Sequence, residues 1–397
     1  MTTHLKYASL ALAIGLFGCS EQSTSSADEP SEKNLEAVNI ENVRSHIKTL
    51  ASDEFLGRGP LTEGETLTIN YLADEYKKLG LSGSFNGEFL QPVTMAKLTP
   101  DQNMTLKVGD LSFNAGSDFT ARTQQITPEI NIDGSDVVFV GYGINAPEYN
   151  WNDFADIDVK DKTIIVLVND PGFATQDESL FTGNAMTYYG RWTYKYEEGA
   201  RQGAKAVFIV HETAPAAYPW SVVESSNTGS KYTLIDQDKN ASDIPVMGWI
   251  DEQAANEIFA QAGLDYQTEK ANALKADFKP VDLKAKAALT LKSDISQAQS
   301  HNVVATLEGS ETPDEYIVIG AHWDHFGTKQ TDDGVKIYNG AVDNASGTAA
   351  TVEIARILTE MHKKKPFKRS IIFANFTAEE TGLIGSEQFA TGEIVPT

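Results

Sequence analysis

The chain has 397 residues, of which 41% are apolar, so it can form a sizeable core and two or three domains of ordinary size. Its formal net charge of −24 argues against a nucleic-acid-binding protein, because phosphate recognition requires clusters of Lys and Arg. Cys19 is the only cysteine, which excludes a disulfide framework and a site built from several thiolates. Any metal chemistry must therefore use oxygen and nitrogen ligands.

The N-terminal segment has the features of an export signal. Lys6 precedes an apolar run over residues 8–17, which is too short to span a bilayer as a helix. The run ends in Gly18-Cys19, which resembles a bacterial lipoprotein cleavage site and implies that Cys19 becomes the lipid-bearing first residue. An ordinary secretory signal is the alternative. We expect a signal peptide over residues 1–19 and a lipid-anchored, periplasmic or secreted protein.

Apolar periodicity predicts the next elements in chain order. Residues 20–34 are rich in Ser, Glu, Asp and Pro and predict a flexible tether. Helices are predicted around residues 43–50, 67–79, 196–204 and 251–262, and strands around residues 137–144, 163–170, 205–210 and 244–250. Long polar loops are predicted over residues 174–184 and 214–243.

The last third alternates strands with one helix. Strands are predicted at residues 301–309, 315–324 and 370–380, the last two as buried strands, and a helix is predicted within residues 341–362. Such alternation predicts an α/β fold with a mostly parallel sheet flanked by helices.

Metal-type ligands lie at the ends of three of these elements. His322 and Asp324 follow one strand, Asp343 precedes the helix, and Glu379 and Glu380 follow the last strand. Because the carboxyl ends of parallel strands meet at one crevice, we expect these side chains to converge. The spacing places Asp324 on the side of His322, where it could orient the imidazole. Of two adjacent glutamates, one can bind metal while the other shuttles protons.

Three motifs carry a resemblance to a known family. GAHWDH (residues 320–325), YNGAVDNASG (338–347) and FTAEETGLIGS (376–386) resemble the zinc-dependent aminopeptidases that include bacterial leucyl aminopeptidases and yeast vacuolar aminopeptidase Y. GRGPLTEG (57–64) resembles the start of that family's catalytic domain. The middle of the chain resembles an inserted, mainly β protease-associated domain. The implied domains are a catalytic domain over 35–125 and 285–397, and an insert over 126–284.

The resemblance also implies a role for each candidate residue. His322 would bind one of two zinc ions, Asp343 would bridge both, and Glu380 would bind the other. Glu379 would be the general base that activates the water, and Asp324 would be the partner of His322. The peptide bond after Asp343 is expected to be cis. A packing or substrate-side role is favoured for His325.

One departure from the family pattern is evident. The family uses a further Asp and His after the paired glutamates, and none of the 17 residues that follow Glu380 is either. We therefore expect a C-terminally truncated copy in which each zinc lacks one protein ligand and activity is impaired.

The function predicted from these motifs is removal of N-terminal residues from peptides by zinc-activated water. A carboxypeptidase or a glutaminyl cyclase on the same scaffold is an alternative. A non-catalytic cell-envelope binding protein is another, if the C-terminal stop is genuine. His with carboxylates would also accept manganese or cobalt. The predicted partners are peptide substrates, with no nucleic acid, and with a membrane only through Cys19; the sequence does not indicate the oligomeric state.

Overall fold

The structure is a computed structural model that describes residues 38–391 together with residues 394 and 395. The predicted signal peptide, its Cys19 and the predicted tether lie outside the described residues. From Ile40 onward the chain forms one compact unit. Among the described residues, none of the helices could span a lipid bilayer.

The helices and strands follow one another along three parts of the chain. The first part contains α1 (Ile40–Leu50), α2 (Glu63–Lys78), β1 (Ser82–Gly83), β2 (Leu90–Pro100), β3 (Thr105–Val108), β4 (Leu111–Asn114) and β5 (Phe119–Arg122). The middle part contains β6 (Glu129–Phe139), β7 (Asn145–Ala146), β8 (Trp151–Asn152), β9 (Thr163–Leu167), α3 (Pro171–Thr175), α4 (Trp192–Arg201), β10 (Ala206–Val210), α5 (Thr213–Ala216), α6 (Trp220–Asn227), β11 (Lys231–Leu234), β12 (Val246–Ile250), α7 (Glu252–Gln261) and α8 (Tyr266–Asn272). The last part contains β13 (Val281–Leu307), β14 (Thr312–His322), β15 (Thr328–Thr331), β16 (Gly334–Ile337), α9 (Ser346–Lys364), β17 (Arg369–Phe376) and α10 (Ile384–Ala390).

The predicted α/β class is confirmed, and the central sheet is mixed. Its main path runs β11-β2-β13-β6-β9-β10-β12-β5, and β17 joins it by pairing antiparallel to β13. Parallel pairing links β6 to β9, β9 to β10, β10 to β12, and β14 to β17. The buried, apolar strands β9, β10 and β12 follow the rule that parallel strands are covered on both faces.

The strand β13 is much longer than the sequence predicted. Its 27 residues pair antiparallel with β6 over Val281–Lys292 and with β2 over Ser293–Val303. The prediction began only at His301. It overlooked the alternation of buried apolar residues from Leu283 to Leu291 with more exposed residues between them, which is the period-two signal of a strand.

Several apolar cores lie along the sheet, and two of the three largest include residues of β13. One combines Leu106, Phe139, Phe259 and other side chains between residues 104 and 291. The other packs α2 and α9 against β13 and β17, and it includes Tyr76, Trp323 and further apolar side chains. This second core lies beside the candidate site. The predicted domain boundaries stay a prediction.

Two sequence-based expectations were wrong. The predicted loop over residues 214–243 contains α6 and also β11, which forms because it pairs antiparallel with β2. The strand predicted as buried, β14, pairs only with β17 within the described residues and leaves Ile317 48% and Val318 43% exposed. It is an edge strand, so its apolar side chains lack the cover expected in a parallel sheet.

Candidate metal centre

The site lies where the parallel strands β14 and β17 end. His322, the last residue of β14, is paired with Phe376, the last residue of β17. The segments that follow both strands therefore leave the sheet at the same edge. The convergence expected from the sequence is observed for these two segments.

Three of the predicted residues come together as a possible metal-binding group. One ligand atom from each of His322, Asp343 and Glu380 lies within 4.8 Å of the others. His322 Nε2 and Asp343 Oδ1 are 3.1 Å apart. The His322 side chain is 12% exposed, whereas that of Asp343 is 64% exposed, so the group opens to solvent on the aspartate side.

Asp343 is placed by a turn that leads into α9. The turn covers Ala341–Ala345, and the peptide bond between Asp343 and Asn344 is cis, as expected. Thr348 Oγ1 donates a hydrogen bond to the main-chain oxygen of His322 over 2.8 Å, which fixes the beginning of α9 against the end of β14. The short, small side chains of this segment allow that close approach.

Asp324 is fully buried behind these residues and contacts both neighbouring segments. Its carboxylate accepts hydrogen bonds from the main-chain N–H groups of Glu379, over 3.1 Å, and Glu380, over 3.4 Å. The same carboxylate lies 3.6 Å from His322 Nδ1, which donates to the main-chain oxygen of Asp324 over 3.2 Å. The contact with His322 was expected from the spacing. The contact with the glutamate loop, which covers residues 377–385 and carries Glu379 and Glu380, was not.

The pKa of His322 reflects this carboxylate environment. Burial lowers the pKa, but hydrogen bonding and the charges of Asp324 and Glu379 outweigh it and raise the pKa to about 9. With Nδ1 directed at Asp324, Nε2 is the atom that can bind a metal once the ring has lost its proton.

Glu379 lies beside the group with its side chain 35% exposed and its Oε2 3.9 Å from His322 Nε2. Burial raises its pKa above the ordinary value, and the nearby carboxylates of Glu380, Asp324 and Asp343 raise it too, while His322 lowers it. A carboxylate with a raised pKa and access to solvent is suited to accepting a proton.

Two further residues hold the glutamate loop, and the sequence predicted the contacts of neither. His325 Nδ1 donates to Glu380 Oε1 over 2.5 Å, so this histidine orients a candidate ligand. The fully buried Asn302 accepts from the N–H of Thr377 over 3.0 Å and donates to the oxygen of Gly385 over 2.7 Å. Asn302 thus fixes both ends of the loop. Its signal was only a polar residue inside an apolar strand.

Arg58 is a third missed residue. It is fully buried, and its guanidinium donates to main-chain oxygens on both sides of the site, including that of Trp323 over 2.9 Å. The GRG sequence at residues 57–59 was noted only as part of the resemblance.

The donor set fits a zinc ion. Zinc is bound in proteins by imidazole nitrogen and carboxylate oxygen, and both occur in this group, whose Asp343 side is exposed to solvent. The set His322, Asp343 and Glu380 leaves coordination positions for water or substrate, as a catalytic zinc site requires. The roles of the individual residues stay a prediction.

The comparison with protein families concerns this same part of the chain. Residues 302–396 match the description "Peptidase family M28". We call residues 302–396 the M28 segment. The M28 segment contains every candidate residue of the metal centre that the sequence indicated, whereas Arg58 and the middle part of the chain lie outside it.

Curated relatives match over a similar length. The M28 segment is similar to "Aminopeptidase NAALADL1" of Rattus norvegicus, with 42% identity over 92 residues, which is 23% of this chain and 11% of that protein. It is also similar to "Probable zinc metalloprotease" of Pyrenophora teres f. teres (strain 0-1), with 44% identity over 92 residues, 22% of this chain and 18% of that protein. The chain thus covers less than a fifth of the length of these relatives.

Solved structures are also similar over most of the chain, and one of them serves as an example. It is described as "Aminopeptidase from Aneurinibacillus sp. strain AM-1", with 21% identity, 90% of this chain and 67% of that chain covered, and a TM-score of 0.43.

Proposed function

We propose that this chain is a zinc-dependent metallopeptidase that removes N-terminal residues from peptides. The observation that carries the proposal is the meeting of His322, Asp343 and Glu380 within 4.8 Å, with Glu379 beside them. The names of the similar relatives, an aminopeptidase and a probable zinc metalloprotease, support the same class of reaction.

Each side chain of the site has its own role in hydrolysis. His322, Asp343 and Glu380 would hold a zinc ion, which would supply Lewis-acid polarisation of the scissile carbonyl and of a water molecule. Glu379 is placed to accept the proton of that water and to return it to the leaving amine. Asp324 holds the main chain of Glu379, so the base is fixed relative to His322. His325 fixes the carboxylate of Glu380.

We further propose that two zinc ions bind and that Asp343 bridges them. The support is the resemblance of the motifs, together with the two carboxylate oxygens that Asp343 offers on the open side of the group. A titration of the chain with zinc tests the number, because two equivalents would saturate it. Saturation at one equivalent would contradict a bridging role.

The remaining proposals rest on the sequence. We propose that the protein is of the leucyl aminopeptidase and aminopeptidase Y type. We propose that the middle part of the chain is a protease-associated domain that restricts access of substrates. We also propose that the protein is exported and held in the cell envelope through Cys19. Peptides are the proposed substrates.

The activity can be tested with three matched substrates. The full-length protein is loaded with zinc and incubated with an aminoacyl anilide, with the same anilide carrying a blocked amine, and with an N-blocked peptide that has a free carboxyl group. We expect release of aniline only from the substrate with a free amine. Release of a C-terminal residue from the third substrate would instead identify a carboxypeptidase.

The role of Glu379 needs a variant that keeps the metal. Glu379→Gln should retain zinc and reduce turnover by roughly 10²–10⁴-fold, which is the usual contribution of a general base. Glu387→Gln, on α10 outside the metal group, is the control with the same chemical change. A Glu379→Gln variant that binds zinc and keeps the normal rate would remove Glu379 as the base.

A further inference from the structure

We infer that Arg58 is a positioning residue of the metal centre, whose guanidinium holds the loop that carries Asp343 against the end of the strand that carries His322. The inference deepens the proposed function and rests on it for the identity of the metal. Arg58 lies outside residues 302–396, the segment matched to peptidase family M28.

The guanidinium of Arg58 donates to four main-chain oxygens. Nε donates to Trp323 over 2.9 Å, and Nη2 donates to Gly340 over 2.8 Å. Nη1 donates to Asn339 over 2.6 Å and to Leu50, at the end of α1, over 2.7 Å. The side chain is fully buried, so these bonds replace its hydration.

These acceptors belong to the two segments that supply metal ligands. Trp323 directly follows His322, and Gly340 lies three residues before Asp343. One planar, rigid guanidinium therefore joins them. A lysine ammonium is a compact point charge with three donors, and it lacks the fork that reaches oxygens on both sides.

The main chain around Arg58 reinforces the same connection. The N–H of His325 donates to the oxygen of Arg58 over 3.2 Å, and the N–H of Gly327 donates to the oxygen of Gly57 over 3.0 Å. A Cβ atom on Gly340 would lie 2.6 Å from Arg58 Nη2, so the loop approaches the guanidinium as closely as a glycine permits. The GRG segment and the metal centre are thus packed as one body.

The charge of Arg58 and its hydrogen bonds have opposite effects on a bound cation. Its positive charge repels a zinc ion nearby, whereas its hydrogen bonds hold the ligands in the geometry that zinc requires. Burial lowers the pKa of Arg58 to about 10, and the charges of Asp324, Asp343 and Glu380 oppose that effect, so the side chain is charged at neutral pH. Removing the guanidinium distinguishes the two effects. Zinc affinity falls if the hydrogen bonds dominate, and it rises if the charge repulsion dominates.

The test is the affinity of the 397-residue chain for Zn²⁺, measured for the unaltered protein, Arg58→Lys and Arg58→Met. We expect both variants to bind zinc about tenfold to hundredfold more weakly, the range found when groups that orient metal ligands are removed. The visible absorption of bound Co²⁺ should change with them, because it reports the geometry of the ligands. Arg58→Lys should lose less than Arg58→Met, since the ammonium keeps some of the donors.

Arg122→Lys is the matched control. Arg122 is a partly buried arginine whose guanidinium donates instead to Asn227 in the middle part of the chain. This variant should keep the zinc affinity and the Co²⁺ absorption of the unaltered protein. Equal zinc affinity in unaltered and Arg58→Lys protein, or tighter binding by Arg58→Met, would overturn the inference and leave the proposed function standing. A failure of the unaltered chain to bind zinc would overturn both.

Hydrogen exchange of the unaltered protein decides the question if the Arg58 variants do not fold. Zinc should slow exchange at the N–H groups of His325 and Gly327, which bond to Arg58 and Gly57, as well as in the loop that carries Asp343. Slower exchange in that loop alone would show that the GRG segment is not coupled to the metal centre.

Discussion

The carboxylate of Asp324 accepts a hydrogen bond from the main-chain N–H of Glu379, over 3.1 Å, although 55 residues separate them in the sequence. Its neighbour Glu380 donates to the other carboxylate oxygen of Asp324 over 3.4 Å. Asp324, which lies beside His322 Nδ1, therefore also sets the position of the proposed base, Glu379. A change at Asp324 should affect metal binding and proton transfer together.

Asp324→Asn tests this double contact. An amide offers one acceptor oxygen and turns an NH₂ group toward one of the two main-chain N–H donors, so one contact becomes repulsive. We expect zinc affinity to fall by about 10–100-fold and turnover at saturating zinc to fall as well. Both are measured against Asp333→Asn, an exposed change in the turn between β15 and β16. Normal turnover at saturating zinc would contradict the link between Asp324 and Glu379.

Asp343→Ala tests whether the exposed carboxylate binds metal. The side chain is 64% exposed, so its removal creates no buried cavity and should leave the free energy of unfolding of the metal-free protein nearly unchanged. We expect the zinc content after dialysis to fall to the background. Asp332→Ala, in the same hairpin turn as Asp333, is the control. Unchanged zinc content in Asp343→Ala would exclude a ligand role.

The pKa of His322 predicts how stability and zinc affinity depend on pH. The folded protein holds the His322 proton up to a pKa of about 9, whereas the unfolded chain loses it near 6.5. Between these values the folded state binds more protons, so the free energy of unfolding of the metal-free protein should fall as pH rises. The stabilisation that the His322 proton contributes is complete below pH 6.5 and lost above about pH 9.

Zinc has to displace that same proton, so its apparent affinity should rise across the same pH range. Urea unfolding of the metal-free protein and zinc titrations at several pH values measure the two slopes. His322→Asn should flatten the stability profile. A metal-free protein whose stability rises between pH 6.5 and 9 would contradict the assignment.

The sequence predicted the elements that carry the metal centre because their signals are local. β17 is a continuous apolar run, α9 has an apolar face that includes Ala349 and Val352, and each candidate ligand directly follows a strand or precedes a helix. The parallel pairing of β14 with β17 then follows from general rules of α/β sheets. The proximity of His322 and Glu380 is therefore expected from these local signals and this pairing.

The residues that hold the ligands in place could not be predicted in the same way. Arg58 acts across 265 residues of sequence, and His325 acts across 55. The sequence next to Arg58 or His325 does not indicate which residue it contacts, because the contact forms only when the sheet has formed. The exposure of β14 also depends on its position at the edge of the sheet, which apolar composition does not reveal.

The continuous strand β13 has a consequence for how the molecule can be divided. It passes from the core around Phe139 to the core around Trp323 with its neighbours changing from β6 to β2, and its backbone is not interrupted at the crossing. The pairing continues without a gap from Lys292 to Ser293, so the two cores are joined by a hydrogen-bonded strand and not by a loop. A protease cut within β13 would expose unpaired strand edges on both sides instead of releasing an intact module.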